Sequence, residues 1–281
     1  MRVSGPSATV VADGRETEVP ILPRIPGGPP VAGDRVHLVD RGDVWRLESI
    51  EPRATLLSRG EFGPRNRSRP LVANADLLVV VAAAIDPPFR PRFVDRYLVA
   101  AELGGLDAAI VITKMDLPDH GEELDEAIAT YREVGYQVVC GSTFDAAFVA
   151  DVRRLIDGRL AALAGHSGVG KSSLTQRLTG VERAIGDISA KVGKGRHTTS
   201  DPRLIPLPDG GAVVDTAGVR TFYLPPMDAA DLAAGFPEIA EAAPDCRFTG
   251  CRHIGEVGCA VEARTSPARL ESYRRLLDTL K

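Results

Sequence analysis

Two stretches of the chain hold reactive side chains at spacings that imply specific chemistry. The first, Gly165-His166-Ser167-Gly168-Val169-Gly170-Lys171-Ser172-Ser173, has the form G-x-x-x-x-G-K-[ST]. Glycines at these positions let successive backbone N–H groups turn inward around a phosphate, and a helix opening at Lys171 adds the positive end of its dipole. Lys171 is then placed to reach the terminal phosphates, and the Ser172 hydroxyl to ligate magnesium. The second stretch is Cys246, Cys251, His253 and Cys259. Three thiolates and one imidazole close a tetrahedral zinc shell with no open position, which predicts a structural ion. Cys140, the remaining cysteine, stands apart, and so close a cluster suggests a metal before a disulfide framework.

The phosphate loop alone says only nucleoside triphosphate, and the base must be read elsewhere. Thr113-Lys114-Met115-Asp116 ends an apolar strand and resembles the guanine-reading motif N-K-x-D. An aspartate there accepts from both the ring N–H and the exocyclic amine of guanine, a pair of donors that adenine lacks. Lys114 is expected to lie over the ring, and a backbone N–H near Cys140-Gly141-Ser142 to meet the guanine carbonyl. Thr113 stands where asparagine is usual, which predicts a weakened link between base loop and phosphate loop. Further on, Asp215-Thr216-Ala217-Gly218 has the D-x-x-G form, whose carboxylate holds magnesium through water and whose glycine amide holds the γ-phosphate. Between these lies Gly193-Lys194-Gly195-Arg196-His197-Thr198-Thr199-Ser200, glycine-rich and polar as a first switch loop would be, with Thr198 or Thr199 completing the magnesium shell. These signals agree on GTP. The base-reading segment precedes the phosphate loop, so the sequence describes a circularly permuted GTPase, with whatever follows residue 219 attached to the second switch.

The elements that must position these residues are legible from residue 75 onward. Apolar runs at 76–84, 108–113, 136–140, 159–164, 204–207 and 212–214 alternate with helical patterns at 92–103, 122–134, 145–156 and 171–178. That alternation predicts a parallel sheet with crossover helices. A last helix is expected at 267–280, capped by Ser266. The first 70 residues are short on helical periodicity and rich in Gly, Pro and Arg, which suggests a small β-barrel with strands at 8–12, 34–39 and 44–50 and a loop at 20–33. Residues 53–69 carry five arginines and one acid, Glu61, and read either as a solvated linker or as a phosphate-contacting surface.

Bulk composition narrows the class. A hydrophobic fraction of 44% and a charged fraction of 26% describe a globular chain able to bury a large core. A formal net charge of −4 excludes nucleic-acid binding by overall charge, so any RNA contact must use local patches. Lysine is confined to Lys114, Lys171, Lys191, Lys194 and Lys281, and every other basic residue is arginine. No run is long enough to span a bilayer or act as an export signal, so a cytoplasmic protein without membrane contact is expected.

Taken together, Gly33-Asp34-Arg35-Val36, Asn74-Ala75-Asp76, Arg96-Tyr97-Leu98, the phosphate loop, Arg196-His197-Thr198-Thr199, the D-x-x-G motif and the Cys, Cys, His, Cys spacing followed by Ala260-Val261 resemble the RsgA/YjeQ family of circularly permuted, small-subunit-dependent GTPases. The resemblance implies an N-terminal OB-type β-barrel with its basic linker (1–70), a central α/β P-loop GTPase (71–224) and a C-terminal helical zinc module (225–281). It also implies Zn²⁺ and Mg²⁺ as cofactors, and the small ribosomal subunit and its rRNA as partners of a monomeric assembly factor that hydrolyses GTP to GDP and phosphate. Val219 sits where many GTPases keep a water-orienting glutamine, so the family resemblance points to His197 as the residue that aligns water. A loop histidine touching only RNA or solvent is the alternative for His197, and a non-hydrolysing GTP-dependent RNA scaffold the alternative for the whole chain. Ala217 for the commoner proline and Ser200 at the end of the threonine run are further departures from the family pattern.

Overall fold

The computed structural model describes residues 2–4, 6–12, 15–22, 24–42, 44–61, 67–181, 202–216 and 222–280. Its strands are β1 (Arg2–Ser4), β2 (Ser7–Ala12), β3 (Arg15–Pro20), β4 (Val36–Asp40), β5 (Trp45–Ile50), β6 (Leu56–Gly60), β7 (Ser68–Ala73), β8 (Leu77–Ala83), β9 (Asp107–Thr113), β10 (Gln137–Cys140), β11 (Leu160–Gly165), β12 (Arg203–Pro206) and β13 (Ala212–Asp215). The helices are α1 (Pro91–Leu103), α2 (Glu122–Glu133), α3 (Ala146–Leu155), α4 (Lys171–Thr179), α5 (Ala229–Ala234), α6 (Pro237–Ala242), α7 (Ala260–Arg264) and α8 (Pro267–Asp278).

The central sheet runs β10-β9-β8-β11-β13-β12, with β8 to β11 and β13 parallel and β12 antiparallel to β13. Each residue of β8 is buried because both faces are covered. Leu78, Val80 and Ala82 face one core with α1 and α2, while Leu77, Val79, Val81 and Ala83 face the other, which includes Phe148 and Val152 of α3 and Leu174 and Leu178 of α4. Strands β9 and β10 lie on one side of β8, and the chain then returns to place β11 on the other. That reversal opens a crevice at the carboxyl ends of β8 and β11, where α/β sheets bind ligands.

The N-terminal strands form a strand-rich region consistent with an OB-type barrel, around a core of Ala8, Val10, Val19, Leu47 and Ile50. It adjoins the central sheet where β1 pairs with β12. The basic stretch 53–69 is not an open linker. Its residues 56–60 and 68–69 lie in the paired strands β6 and β7, whose Leu57 and Val72 are buried in the same core as α1. The boundary expected at residue 70 therefore falls inside β7. Helices α5, α6 and α7, too short to show a helical period in the sequence, join α8 in a further core of Leu232, Phe236, Ile239, Val261, Leu270, Tyr273 and Leu276. Val99 of α1 belongs to that core as well.

Candidate functional site: a nucleotide crevice and a zinc shell

The phosphate loop follows β11 and opens α4, as its pattern requires. Gly168 and Gly170 have φ of 87° and 85°, the left-handed region in which glycine is unstrained. A Cβ on Gly165 would lie 2.3 Å from the Val81 carbonyl oxygen, so the loop's first residue must be glycine for β11 to lie against β8. His166 meets Phe93 of α1 edge-on, with ring centroids 5.6 Å apart. Lys171 is buried and its ammonium donates to the Asp215 carboxylate and to the Thr216 carbonyl. The phosphate-loop lysine and the D-x-x-G carboxylate are thus neighbours at adjacent strand ends. Thr216 is held in turn by donating its hydroxyl to Leu163 O, 2.8 Å away.

The base-reading segment converges on the same crevice from β9. Thr113 is fully buried, and its hydroxyl donates to the Val169 carbonyl of the phosphate loop at 2.6 Å, with Ala82 O at 3.2 Å. The link expected to weaken without asparagine is made by threonine, because Val169 O comes close enough for the shorter side chain. Lys114 has φ of 61° and donates its ammonium to Asp86 O, tying the base loop to the turn after β8. Met115 packs on the core, and its N–H donates to Gly141 O at 3.2 Å. Asp116, the last residue of the segment, is exposed. Within Cys140-Gly141-Ser142, where a contact to the guanine carbonyl is expected, the Gly141 N–H already donates to Ile112 O at 2.9 Å. Ser172 is half-buried and Ser173 exposed on the first turn of α4. His197, Thr198, Thr199 and Gly218 lie outside the described residues.

The zinc ligands also converge. One donor atom from each of Cys246, Cys251, His253 and Cys259 lies within 4.8 Å of the others. His253 Nδ1 is 3.7 Å from Cys246 Sγ and 3.5 Å from Cys259 Sγ. Tetrahedral zinc with the usual bond lengths separates sulfur from nitrogen by about 3.5 Å and sulfur from sulfur by about 3.8 Å. The donor chemistry fits as well. Burial lowers the His253 pKa and keeps its imidazole neutral. Burial raises Cys246, but N–H groups of Val261 and Ala260 and the neighbouring thiols outweigh it and favour the thiolate. Cys251 is pushed up to about 12, by burial first and by Cys259 and Cys246 beside it. Thiolates that resist ionising side by side are the set a dication stabilises. Glu256 braces the turn by accepting from the N–H groups of Arg252 (2.9 Å) and Ile254 (2.7 Å).

One polar cluster is not announced by any motif. Asp95 of α1 is buried and accepts from the Tyr131 hydroxyl at 2.8 Å, from Ser272 and from the Arg269 guanidinium of α8. Arg269 also holds Glu238 of α6 at 2.6 Å and stacks over Phe236, 4.5 Å from the ring centre. Burial raises the Asp95 pKa, and Arg269 with the two hydroxyls offsets only part of that rise. The one signal in the sequence is an acid on an otherwise apolar helix face.

A P-loop whose lysine meets a D-x-x-G aspartate, linked to a base-reading loop that comes earlier in the chain and followed by a Cys₃His module, defines a circularly permuted GTPase with a C-terminal zinc module. The family model described as RsgA GTPase matches residues 50–225, and the chain belongs to that family. A relative from Chlorobaculum tepidum, named small ribosomal subunit biogenesis GTPase RsgA, is 40% identical over 263 residues, covering 88% of this chain and 84% of its own. A protein of the same name from Azotobacter vinelandii is 37% identical over 266 residues, covering 89% and 75%. Among solved structures, YjeQ from Thermotoga maritima superposes with a TM-score of 0.75 at 25% identity, over 98% of this chain and 95% of that one. YloQ, described as a circularly permuted GTPase, gives 0.72 at 25% identity over 99% and 92%. Among the described residues, no helix is long and apolar enough to cross a membrane.

Proposed function

We propose that the chain hydrolyses GTP to GDP and phosphate as an assembly factor of the small ribosomal subunit, binding rRNA and coupling hydrolysis to its own release. The observation that carries this reading is the 2.6 Å bond from Thr113 to Val169 O, which joins a guanine-type loop to a phosphate loop despite their reversed order. Lys171 and the amides at the start of α4 would hold the phosphates and Asp116 the guanine edge. Ser172, Asp215 and Thr198 or Thr199 would hold magnesium, which supplies charge neutralisation on the phosphates when bound. His197 is assigned to aligning the attacking water, since Val219 has no group to do so. The Cys₃His set takes zinc as a structural brace. The chain works as a monomer in the cytoplasm.

Phosphate release measured with and without purified small subunits tests the reading. Stimulation at least about tenfold is expected, and turnover indifferent to subunits would count against it. Val219 favours a second reading, a scaffold that binds GTP without cleaving it. Single-turnover phosphate release separates the two, because a scaffold yields none.

A further inference from the structure

Four arginines outside the nucleotide crevice break the rules of local stability together. Arg59 and Arg69 are direct cross-strand partners on the β6–β7 hairpin, an arrangement in which like charges destabilise. Arg92 and Arg96 lie one helical turn apart on α1, where like charges again repel, and the first turn of that helix holds no acid to meet its dipole. The two pairs belong to one neighbourhood. The charge of Arg59 acts on the buried phenol of Tyr97, the residue after Arg96. Half-buried Arg96 lies within electrostatic reach of Arg92 and of the Tyr223 phenol, and the Tyr223 carbonyl accepts from the Gly60 N–H at 2.9 Å, one residue beyond Arg59. Among the described residues, none of the four arginines has an ion pair or a side-chain hydrogen bond. Arg53, by contrast, is committed to Asp34 at 2.7 Å and is structural. Uncompensated charge that a fold tolerates at a cost marks a site whose partner supplies the missing charge.

We propose that Arg59, Arg69, Arg92 and Arg96 form a binding site for the phosphodiester backbone of RNA, beside the residues that follow the D-x-x-G motif. Guanidinium forks suit phosphate oxygens, and two pairs on two elements match a chain of phosphates better than one small anion. Gly60 on the same hairpin holds Tyr223, so a strand gripped there steadies the stretch just C-terminal to the second switch. The proposal rests on the rRNA-binding reading above, and names the surface that would serve it.

The test compares wild type with Arg59→Gln/Arg92→Gln for binding to purified small subunits, with a non-hydrolysable GTP analogue, across a salt series. Neither residue touches the nucleotide machinery, so basal turnover and GTP affinity should be unchanged. Affinity for the subunit should fall at least about tenfold, and the slope of log K against log salt should shrink by roughly 0.7–0.9 for each phosphate no longer neutralised. Arg59→Lys/Arg92→Lys should keep most of the affinity, which separates a missing charge from misfolding. Wild type that binds and a Gln variant that binds with the same slope overturn this site alone. Wild type that does not bind overturns the parent reading too. Weakened binding seen on intact subunits but not on protein-free small-subunit rRNA would assign the patch to an acidic ribosomal protein, and weakened GTP affinity would assign it to the nucleotide. Either result overturns the proposal.

Discussion

Thr113 illustrates how a single side chain fixes the crevice. Its hydroxyl has one proton, and the 2.6 Å contact with Val169 O takes it. Thr113→Val keeps the volume and removes the donor, leaving a buried carbonyl unpaired. A loss of about 1–3 kcal/mol is expected, divided between stability and GTP affinity, whereas Thr113→Ser should retain most of both. Nucleotide titration and thermal melting check this together. In the proposed function Asp116 would act through the polarity of its hydrogen bonds to the base. Asp116→Asn replaces an acceptor with a donor, so it should weaken GTP by roughly a hundredfold and favour xanthosine triphosphate, which presents a carbonyl where guanine has its amine. Competition between the two nucleotides decides it, and unchanged preference would remove Asp116 from the base site. For His197 the expected outcome of substitution by alanine is retained GTP affinity with subunit-stimulated turnover reduced at least about tenfold. Unaltered stimulated turnover would assign that histidine to another task.

Among the elements, α1 connects the most. Its Phe93 meets the phosphate loop at His166, its Tyr97 stacks on Phe222 with centroids 4.0 Å apart, and its Asp95 and Val99 reach into the zinc module. The order of motifs hangs the module on the second switch alone; α1 is a second, buried attachment. Breaking the Asp95–Arg269 pair should cost about 3–5 kcal/mol, since Asp95→Ala leaves a guanidinium buried with only Glu238 for charge. The double change Asp95→Leu/Arg269→Met should recover much of that stability, because it also removes the stranded charge. Urea unfolding of the two variants measures the difference. Equal stabilities would mean the pair contributes nothing beyond its volume. In the proposed release, any shift of the module with nucleotide state would have to be accommodated at this buried joint with α1.

For the whole molecule, the zinc shell is expected to decide whether the last segment is ordered. Cys246 and Cys259 pack at the edge of the core built by α5 to α8, and short helices of five or six residues cannot stand without that support. Chelation, or Cys251→Ser, should release one zinc per chain and open residues 225–281 to limited proteolysis, while GTP binding by the central sheet persists. Protection of that segment after the metal is gone would show that the core suffices.

Most of the chemistry is legible in the one-dimensional order of residues, because short-range spacing encodes it. A phosphate loop needs its glycines within one turn, a tetrahedral shell draws its ligands from one loop, and a parallel sheet requires strands such as Leu77–Ala83 that are apolar on both faces. Those features, with the reversed order of motifs, specify a permuted GTPase with a zinc module. Tertiary structure alone decides what depends on distance between remote segments. Thr113 can stand for asparagine because Val169 O lies within its reach, β6 and β7 in the arginine-rich region pair because Leu57 and Val72 find a core, and Asp95 pairs with an arginine 174 positions away. Pairings of that kind carry no periodicity, so they emerge only when packing brings the two segments together.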